Sequence, residues 1–365
     1  MENSTQGVAI SVGAGNHQVP LIAELKRQNF LVAAFDQDPM APGRFLADFF
    51  SQISTWDFTA AADWLDSLNT RFVGVFCFSY GKALTTQLRL IEKYNLEGLV
   101  TPCRADLSHD KFAQRQFLRE AGLTKIIDVD CKHSNKIDNQ RRYVVKDRHG
   151  GSSKGIEVFE GEQLSREIGL SPESFSNSVA QPILNGSEYR VIIFVRNGQI
   201  FFGTALRRHN LPGTFICSTY HTLIEVPIAL IELSEKLVNL LGQPMYFLKI
   251  DVMEVDWGME IIEFDLGKPG DYFESLIAPF CFSLDFIRVY VDAYLGRSLR
   301  RWPCWQPPKV QGTLHFLYEE EFSVDNLQDN FKSAYLGHEL TGQPGSAQPK
   351  SNQDVRAVLL VKRQE

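Results

Sequence analysis

Cysteine is scarce and scattered. Cys77, Cys103, Cys131, Cys217, Cys281 and Cys304 are the only thiols in 365 residues, and no CxxC or Cys/His pair has metal-ligand spacing. That excludes the familiar zinc modules, and reduced thiols in a cytoplasmic protein are expected. No apolar run is long enough to span a bilayer, and Met1 to Gly7 lacks the basic and apolar regions of a signal peptide, so no membrane association is expected. An excess of positive charge is also missing. Lys and Arg number 37 against 44 Asp and Glu, a net charge of −7, which argues against a nucleic-acid partner while leaving room for a local basic cleft. There are no internal repeats. What remains, 44% hydrophobic and 22% charged residues over this length, is an ordinary globular composition large enough for two or three subdomains.

The first hundred residues alternate strand and helix. Val8 to Val12 is an apolar run followed by Gly13-Ala14-Gly15-Asn16, and Val19 to Gln28 has helical periodicity. Phe30 to Phe35 and Phe72 to Phe78 are further strands, and Gly81 to Tyr94 a helix. Such alternation predicts a parallel sheet. After Thr101-Pro102 the character changes. Asp110 to Ala121 is an amphipathic helix, and Tyr143 to Lys146 and Ile156 to Phe159 flank a Gly/Ser loop as a hairpin. Val179 to Leu184 leads into Asn185-Gly186. Tyr189 to Val195 should pair with Gln199 to Ala205 across Asn197-Gly198, and Phe247 to Val255 with Met259 to Asp265. Ser283 to Leu295 reads as a helix, Gly342 to Gln353 as a loop, and Val355 to Val361 as a last strand. The expected class is α/β followed by α+β.

Three segments carry chemistry. Lys146 runs into Arg148-His149-Gly150-Gly151-Ser152-Ser153-Lys154-Gly155, whose glycines would let backbone N–H groups approach phosphate oxygens; a plain flexible turn has the same composition. Asp251 lies on one predicted strand, and Glu263 and Asp265 lie on the next with period-two spacing. Three carboxylates on one face repel unless a cation sits among them, and an all-oxygen set suits Mg²⁺; surface acids on a solvated sheet are the alternative. Gln181 to Arg190 joins two apolar stretches and places Glu188 just past a turn.

In this order, these segments resemble the ATP-grasp superfamily, including D-alanine–D-alanine ligases and ribosomal-protein glutamate ligases. The likeness covers roughly Val8 to Leu295. It implies a Rossmann-like domain (residues 1–101), an ATP-grasp small lobe with the glycine hairpin (102–182) and a large lobe with the metal strands and a C-terminal extension (183–365). Carried over by resemblance, Lys111 and Lys146 would hold ATP phosphates under Gly151, Ser152 and Ser153. Gln181, Pro182, Ile183 and Leu184 would form the adenine hinge, and Glu188 would hold the ribose. Asp251, Glu263 and Asp265 would bind Mg²⁺, with Mn²⁺ as an alternative ion; Arg190 and the pair Arg207-Arg208 would stabilise the transferred phosphoryl group or hold a substrate carboxylate, and Arg190, Arg207 and Lys249 would stabilise developing charge. Two positions depart from the family pattern: Asp265 replaces an Asn, and Gln181 replaces an acid.

The implied reaction joins a small-molecule carboxylate to an amine through an acylphosphate, on an amino acid or small peptide in biosynthesis, with a homodimer as the family's common assembly. A regulatory ATP-binding protein and carboxylate transfer to a non-amine acceptor are the competing readings. The turn at Gly13 and the acid at Asp36 faintly suggest a dinucleotide fold, but Val19-Pro20 stands where a later glycine is needed.

Overall fold

β1 (Val8–Val12) is apolar at nearly every position and buried throughout, as the interior of a parallel sheet requires. It pairs in parallel with β2 (Leu31–Asp36) on one side and β4 (Phe72–Phe76) on the other, while β3 (Phe49–Gln52) extends the sheet beyond β2. The order is therefore β3-β2-β1-β4, and the direction of winding reverses between β1 and β4. Helices Val19–Arg27, Phe58–Ser67 and Lys82–Lys93 follow β1, β3 and β4. The computed structural model describes residues 7–79, 81–96, 107, 110–132, 136–150, 155–242, 245–299, 304–318, 335–340 and 349–363.

A second, antiparallel sheet has the order β5-β8-β6-β7, from β5 (Val129–Asp130), β6 (Arg142–Asp147), β7 (Glu157–Glu160) and β8 (Ser178–Pro182). Alternation along β6 sends Tyr143 and Val145 into a core of their own with Leu164, Ile168 and Ala180, and leaves Val144 and Lys146 for the other face.

The third sheet has eight antiparallel strands in the order β13-β12-β9-β10-β11-β14-β16-β15. They are β9 (Ser187–Arg196), β10 (Gln199–Asn210), β11 (Cys217–Thr222), β12 (Met245–Val255), β13 (Gly258–Leu266), β14 (Gly312–Leu317), β15 (Tyr335–Leu340) and β16 (Ala357–Lys362). Asn197 and Gly198 both have positive φ, +53° and +72°, as a two-residue hairpin between β9 and β10 requires. This sheet and the N-terminal one share a single core. Helix Phe286–Tyr294 lies between them: Tyr290 stacks edge-on against Phe78, its hydroxyl donates to the Cys77 carbonyl (3.0 Å), and it accepts from the Cys77 N–H (3.2 Å).

The expected strand–helix alternation, the antiparallel pairing of the strands that flank the Gly/Ser segment and both long hairpins are present. The helix expected from Ser283 starts instead at Phe286. Ser283 is left-handed (φ +52°), and the Asp285 carboxylate caps the first turn at the Arg288 N–H. β3, β11, β14, β15 and the helices Phe58–Ser67, Gly161–Leu170 and Ile228–Leu241 have no counterpart in the sequence reading. Among the described residues Cys77, Cys131, Cys217, Cys281 and Cys304 are free thiols, and no helix is long and apolar enough to cross a membrane.

Candidate active site

The helix Lys111–Glu120 opens the site. Asp110 is its N-cap, accepting from the Phe112 and Ala113 N–H groups (both 3.1 Å). The same carboxylate takes two hydrogen bonds from Arg148 (2.6 and 2.8 Å), and Lys111 N–H donates to the Arg148 carbonyl, tying the helix start to the end of β6. Lys111 Nζ thereby reaches the Gly150 carbonyl at 2.5 Å and lies 3.7 Å from Glu263. Lys146 leaves β6 on the cleft side and donates to Gln181 Oε1 at 3.0 Å; Gln181 Nε2 in turn donates to Asp128 at 3.4 Å. Burial lowers the Lys146 pKa, against the pull of Glu263, and burial raises that of Asp128 despite Arg115 and Lys146. A carboxyl group, that of Asp128, thus stands one layer behind Gln181.

β8 ends at Pro182, and Ile183 N–H donates to the Arg142 carbonyl, so Pro182, Ile183 and Leu184 form one apolar wall of a cleft completed by Val144, Ile156, Phe215 and Met253. Gly186 is needed for the turn that follows, because a Cβ there would lie 1.8 Å from the Glu254 carbonyl. β9 then sets Glu188 directly opposite Arg208 on β10, with a hydrogen bond of 2.6 Å, and Asn210 donates to the second oxygen at 3.0 Å.

Direct cross-strand register places Arg190, Asp251 and Glu263 in one row and Lys249 and Asp265 in the next. Arg190 binds Asp251 through two hydrogen bonds (2.7 and 3.0 Å), also pairs with Asp271, and lies over the Tyr220 ring. Lys249 sits 2.5 Å from Asp265 and 3.7 Å from Asp251. A β-bulge at Ile262, which has no partner between the Asp251–Glu263 and Val252–Ile261 pairs, turns both Ile262 and Glu263 toward the cleft. Burial would raise the Asp251 and Glu263 pKa values. Arg190 and Lys249 hold Asp251 well below the usual range, and Lys111, Lys146 and Lys249 bring Glu263 down to about 2.

Two members of the expected metal triad, Asp251 and Glu263, share the cleft, and Asp265 stands apart from it. Among the described residues no group of three or more His, Cys, Asp or Glu side chains is arranged to hold a metal ion. Asp265 is absorbed by Lys249 and does not line the cleft, whereas Asp251 and Glu263 do, both ionised. The repulsion that called for a metal is relieved largely by lysine and arginine. Two cleft carboxylates still suit Mg²⁺, which is ordinarily held by one or two carboxylates together with phosphate oxygens.

Arg207 lies apart from these residues. It is exposed on the opposite face of β10, where it donates to Ser187 Oγ (3.0 Å); its neighbour Arg208 is the arginine in the cleft. Gly151, Ser152 and Ser153 lie outside the described residues. Lys111, Lys146, Gln181, Pro182, Ile183, Leu184, Glu188, Asp251 and Glu263 all line one cleft. Arg190 and Lys249 stand behind it, committed to carboxylates. Asp271, Tyr220, Asn210 and Asp128 were not singled out in the sequence. Only Asp271, two residues past Pro269 in a turn-forming stretch, carries any local signal. In the N-terminal domain, Asp36 accepts from the Ala14 and Asp38 N–H groups (2.9 and 3.0 Å), so it closes the Gly13 turn rather than facing a ribose.

No family model matches the chain, and no curated protein matches it in sequence. Solved structures do. An L-amino acid ligase from Bacillus licheniformis is similar with a TM-score of 0.76 at 14% identity, covering 98% of this chain and 93% of that one. An N5-carboxyaminoimidazole synthetase from Staphylococcus aureus, complexed with ADP, gives 0.72 at 17% identity, covering 99% and 94%. A phosphoribosylglycinamide synthetase from Anaerococcus prevotii gives 0.72 at 15%, also covering 99% and 94%. Across nearly its whole length, then, this chain has the ATP-grasp fold of carboxylate–amine ligases.

Proposed function

We propose that the protein is an ATP-dependent carboxylate–amine ligase acting through an acylphosphate on an amino acid or small peptide. The observation that carries this reading is the convergence of Lys111, Lys146, Glu188 and Glu263, from four separate elements, on one cleft with an apolar wall. Adenine would lie against Pro182, Ile183 and Leu184, the ribose beside Glu188, and the phosphates under Lys111 and Lys146. A substrate carboxylate oxygen attacks the γ-phosphorus and ADP leaves. The amine then attacks the acyl carbon, phosphate departs with the bonding pair, and the amine loses a proton. Phosphoryl transfer depends on positioning and charge neutralisation more than on covalent catalysis. Lys111 and Lys146 supply the neutralising charge, because Arg190 and Lys249 are outnumbered by Asp251, Asp265 and Asp271. Mg²⁺, held by Asp251 and Glu263, would screen the phosphate oxygens. Arg190 acts as a positioning residue, holding Asp251 toward the cleft.

ADP release from ATP·Mg²⁺ against a panel of amino acids and small carboxylic acids tests the reading, with Glu263→Gln beside the wild type. Release that needs both a carboxylate and an amine, and falls at least about a hundredfold in the variant, is expected for the loss of an ionic contact to the transferring group. Nucleotide binding without release across the panel would favour the regulatory reading, and product mass separates an amide from transfer to another acceptor. Assembly as a homodimer belongs to the same proposal and is read by light scattering.

A further inference from the structure

β5 and β8 pair antiparallel with Val129 opposite Ala180, and one step further along the same register Asp128 comes opposite Gln181. Asp128 lies behind the cleft wall. Its side chain is 1% exposed and does not line the cleft, whereas Gln181 does. Asp128 Oδ2 accepts from Gln181 Nε2 at 3.4 Å and lies 2.8 Å from Arg115 Nε. Oδ1 is buried and, among the described residues, has no hydrogen-bond partner. A buried carboxylate left half satisfied contributes little to stability, so packing alone does not account for an acid here.

The two contacts lead to two further cations. Arg115 stands one turn beyond Lys111 on the helix Lys111–Glu120, so its pairing with Asp128 restrains the rotation of the helix that presents Lys111. Gln181 Oε1 accepts from Lys146 Nζ at 3.0 Å. The amide is turned the one way that both neighbours allow, since an ammonium cannot accept and a carboxylate cannot donate. Burial, then Lys111 and Arg115, disfavour the Lys146 ammonium, while Glu263 and Asp128 favour it. A carboxylate in place of Gln181 would be a direct counter-ion for Lys146, but it would line the cleft. Set behind a neutral amide, the charge still acts on Lys146 and stays off the cleft wall.

We propose that Asp128 is a positioning residue for the phosphate end of the cleft: paired with Arg115 and relayed through Gln181, it holds Lys111 and Lys146 in place for the phosphate chain of a nucleotide. The role rests on the ATP-binding part of the ligase reading.

The test compares ATP with adenosine, which lacks the phosphates, by calorimetric titration of the full chain. Asp128→Asn keeps the shape of the side chain and removes its charge. It is expected to weaken ATP binding about tenfold and to leave adenosine within about twofold of the wild type. The double variant Asp128→Asn, Gln181→Glu exchanges the acid and the amide, and is expected to restore ATP binding to within about threefold of the wild type. Equal losses for ATP and adenosine, the mark of a merely loosened lobe, overturn the role. So does an Asp128→Asn variant that binds ATP as the wild type does, or an exchange that restores nothing. Should Asp128→Asn not fold, Gln181→Leu decides. It cuts the relay and leaves the Asp128–Arg115 pair in place; a loss confined to ATP supports the role, and undiminished ATP binding overturns it. The wild type separates the two readings. No ATP binding removes both, whereas ATP binding indifferent to Asp128 keeps the ligase reading and removes this role alone.

Discussion

Arg207 and Arg208 are adjacent in sequence and lie on opposite faces of β10. The strand sends Arg208 to Glu188 and the cleft, and Arg207 to the far side among His209 and His221. Removing Arg208 leaves the Glu188 carboxylate with Asn210 alone, a loss of a charge-assisted hydrogen bond in a site with little exposure. Arg208→Ala is expected to weaken ATP binding by about tenfold or more, while Arg207→Ala stays within about twofold of the wild type, since exposed polar contacts contribute little. Calorimetric titration with ATP checks both. If the effects are reversed, the cleft face of β10 has been assigned wrongly. The doublet was visible in the sequence, but which member serves the cleft was not, because period-two alternation separates the two faces without saying which one is covered.

The helix Lys111–Glu120 was legible as an element: an Asp before an amphipathic run is an N-cap signal. Its docking was not. Gln114, 1% exposed, uses its side-chain amide as a strand would, donating to the Phe264 carbonyl (2.7 Å) and accepting from the Phe264 N–H (2.8 Å). β13 is the edge of the eight-stranded sheet, and this pairing satisfies backbone groups that an edge otherwise leaves open. Arg115 reinforces it, reaching the Ile261 carbonyl, Thr124 and Asp128. Gln114→Ala leaves a buried N–H and C=O without these partners and is expected to destabilise the protein by about 1–3 kcal/mol, read from the denaturant midpoint. A value near zero would mean that the helix is held by apolar contacts alone. A glutamine in a polar helix face carries no sequence mark of such a role; only the neighbouring edge strand makes it one.

At the scale of the molecule, the N-terminal and large sheets close over one core while the small sheet keeps its own. The outer surface of the large sheet gathers His209, His221 and His315 from β10, β11 and β14, near Arg207 and Arg363. Burial, then His209, Arg363, His315 and Arg207, lower the His221 pKa to about 4; burial also lowers those of His209 and His315. Because the folded pKa lies below the unfolded value of 6.5, folding favours the neutral imidazole. Its contribution is intact above that unfolded value and is lost as pH falls from there toward the folded one. The urea midpoint is expected to drop across that interval, and His221→Gln to flatten part of the drop; a variant profile parallel to the wild type would remove His221 from the account.

The sequence by itself determined the order of elements and the places where charge interrupts apolar strands, because hydrophobic periodicity, turn residues and the spacing of Lys146, Glu188, Asp251 and Glu263 are local properties of the chain. Tertiary structure decided what those charges do. Strand order set Arg190 between Asp251 and Asp271, gave Asp265 to Lys249, and placed Asp128 behind Gln181. The reason is physical: whether a carboxylate holds a metal, a lysine or a guanidinium depends on the nearest opposite charge in a region of reduced screening, and that neighbour is chosen by packing between segments remote in sequence.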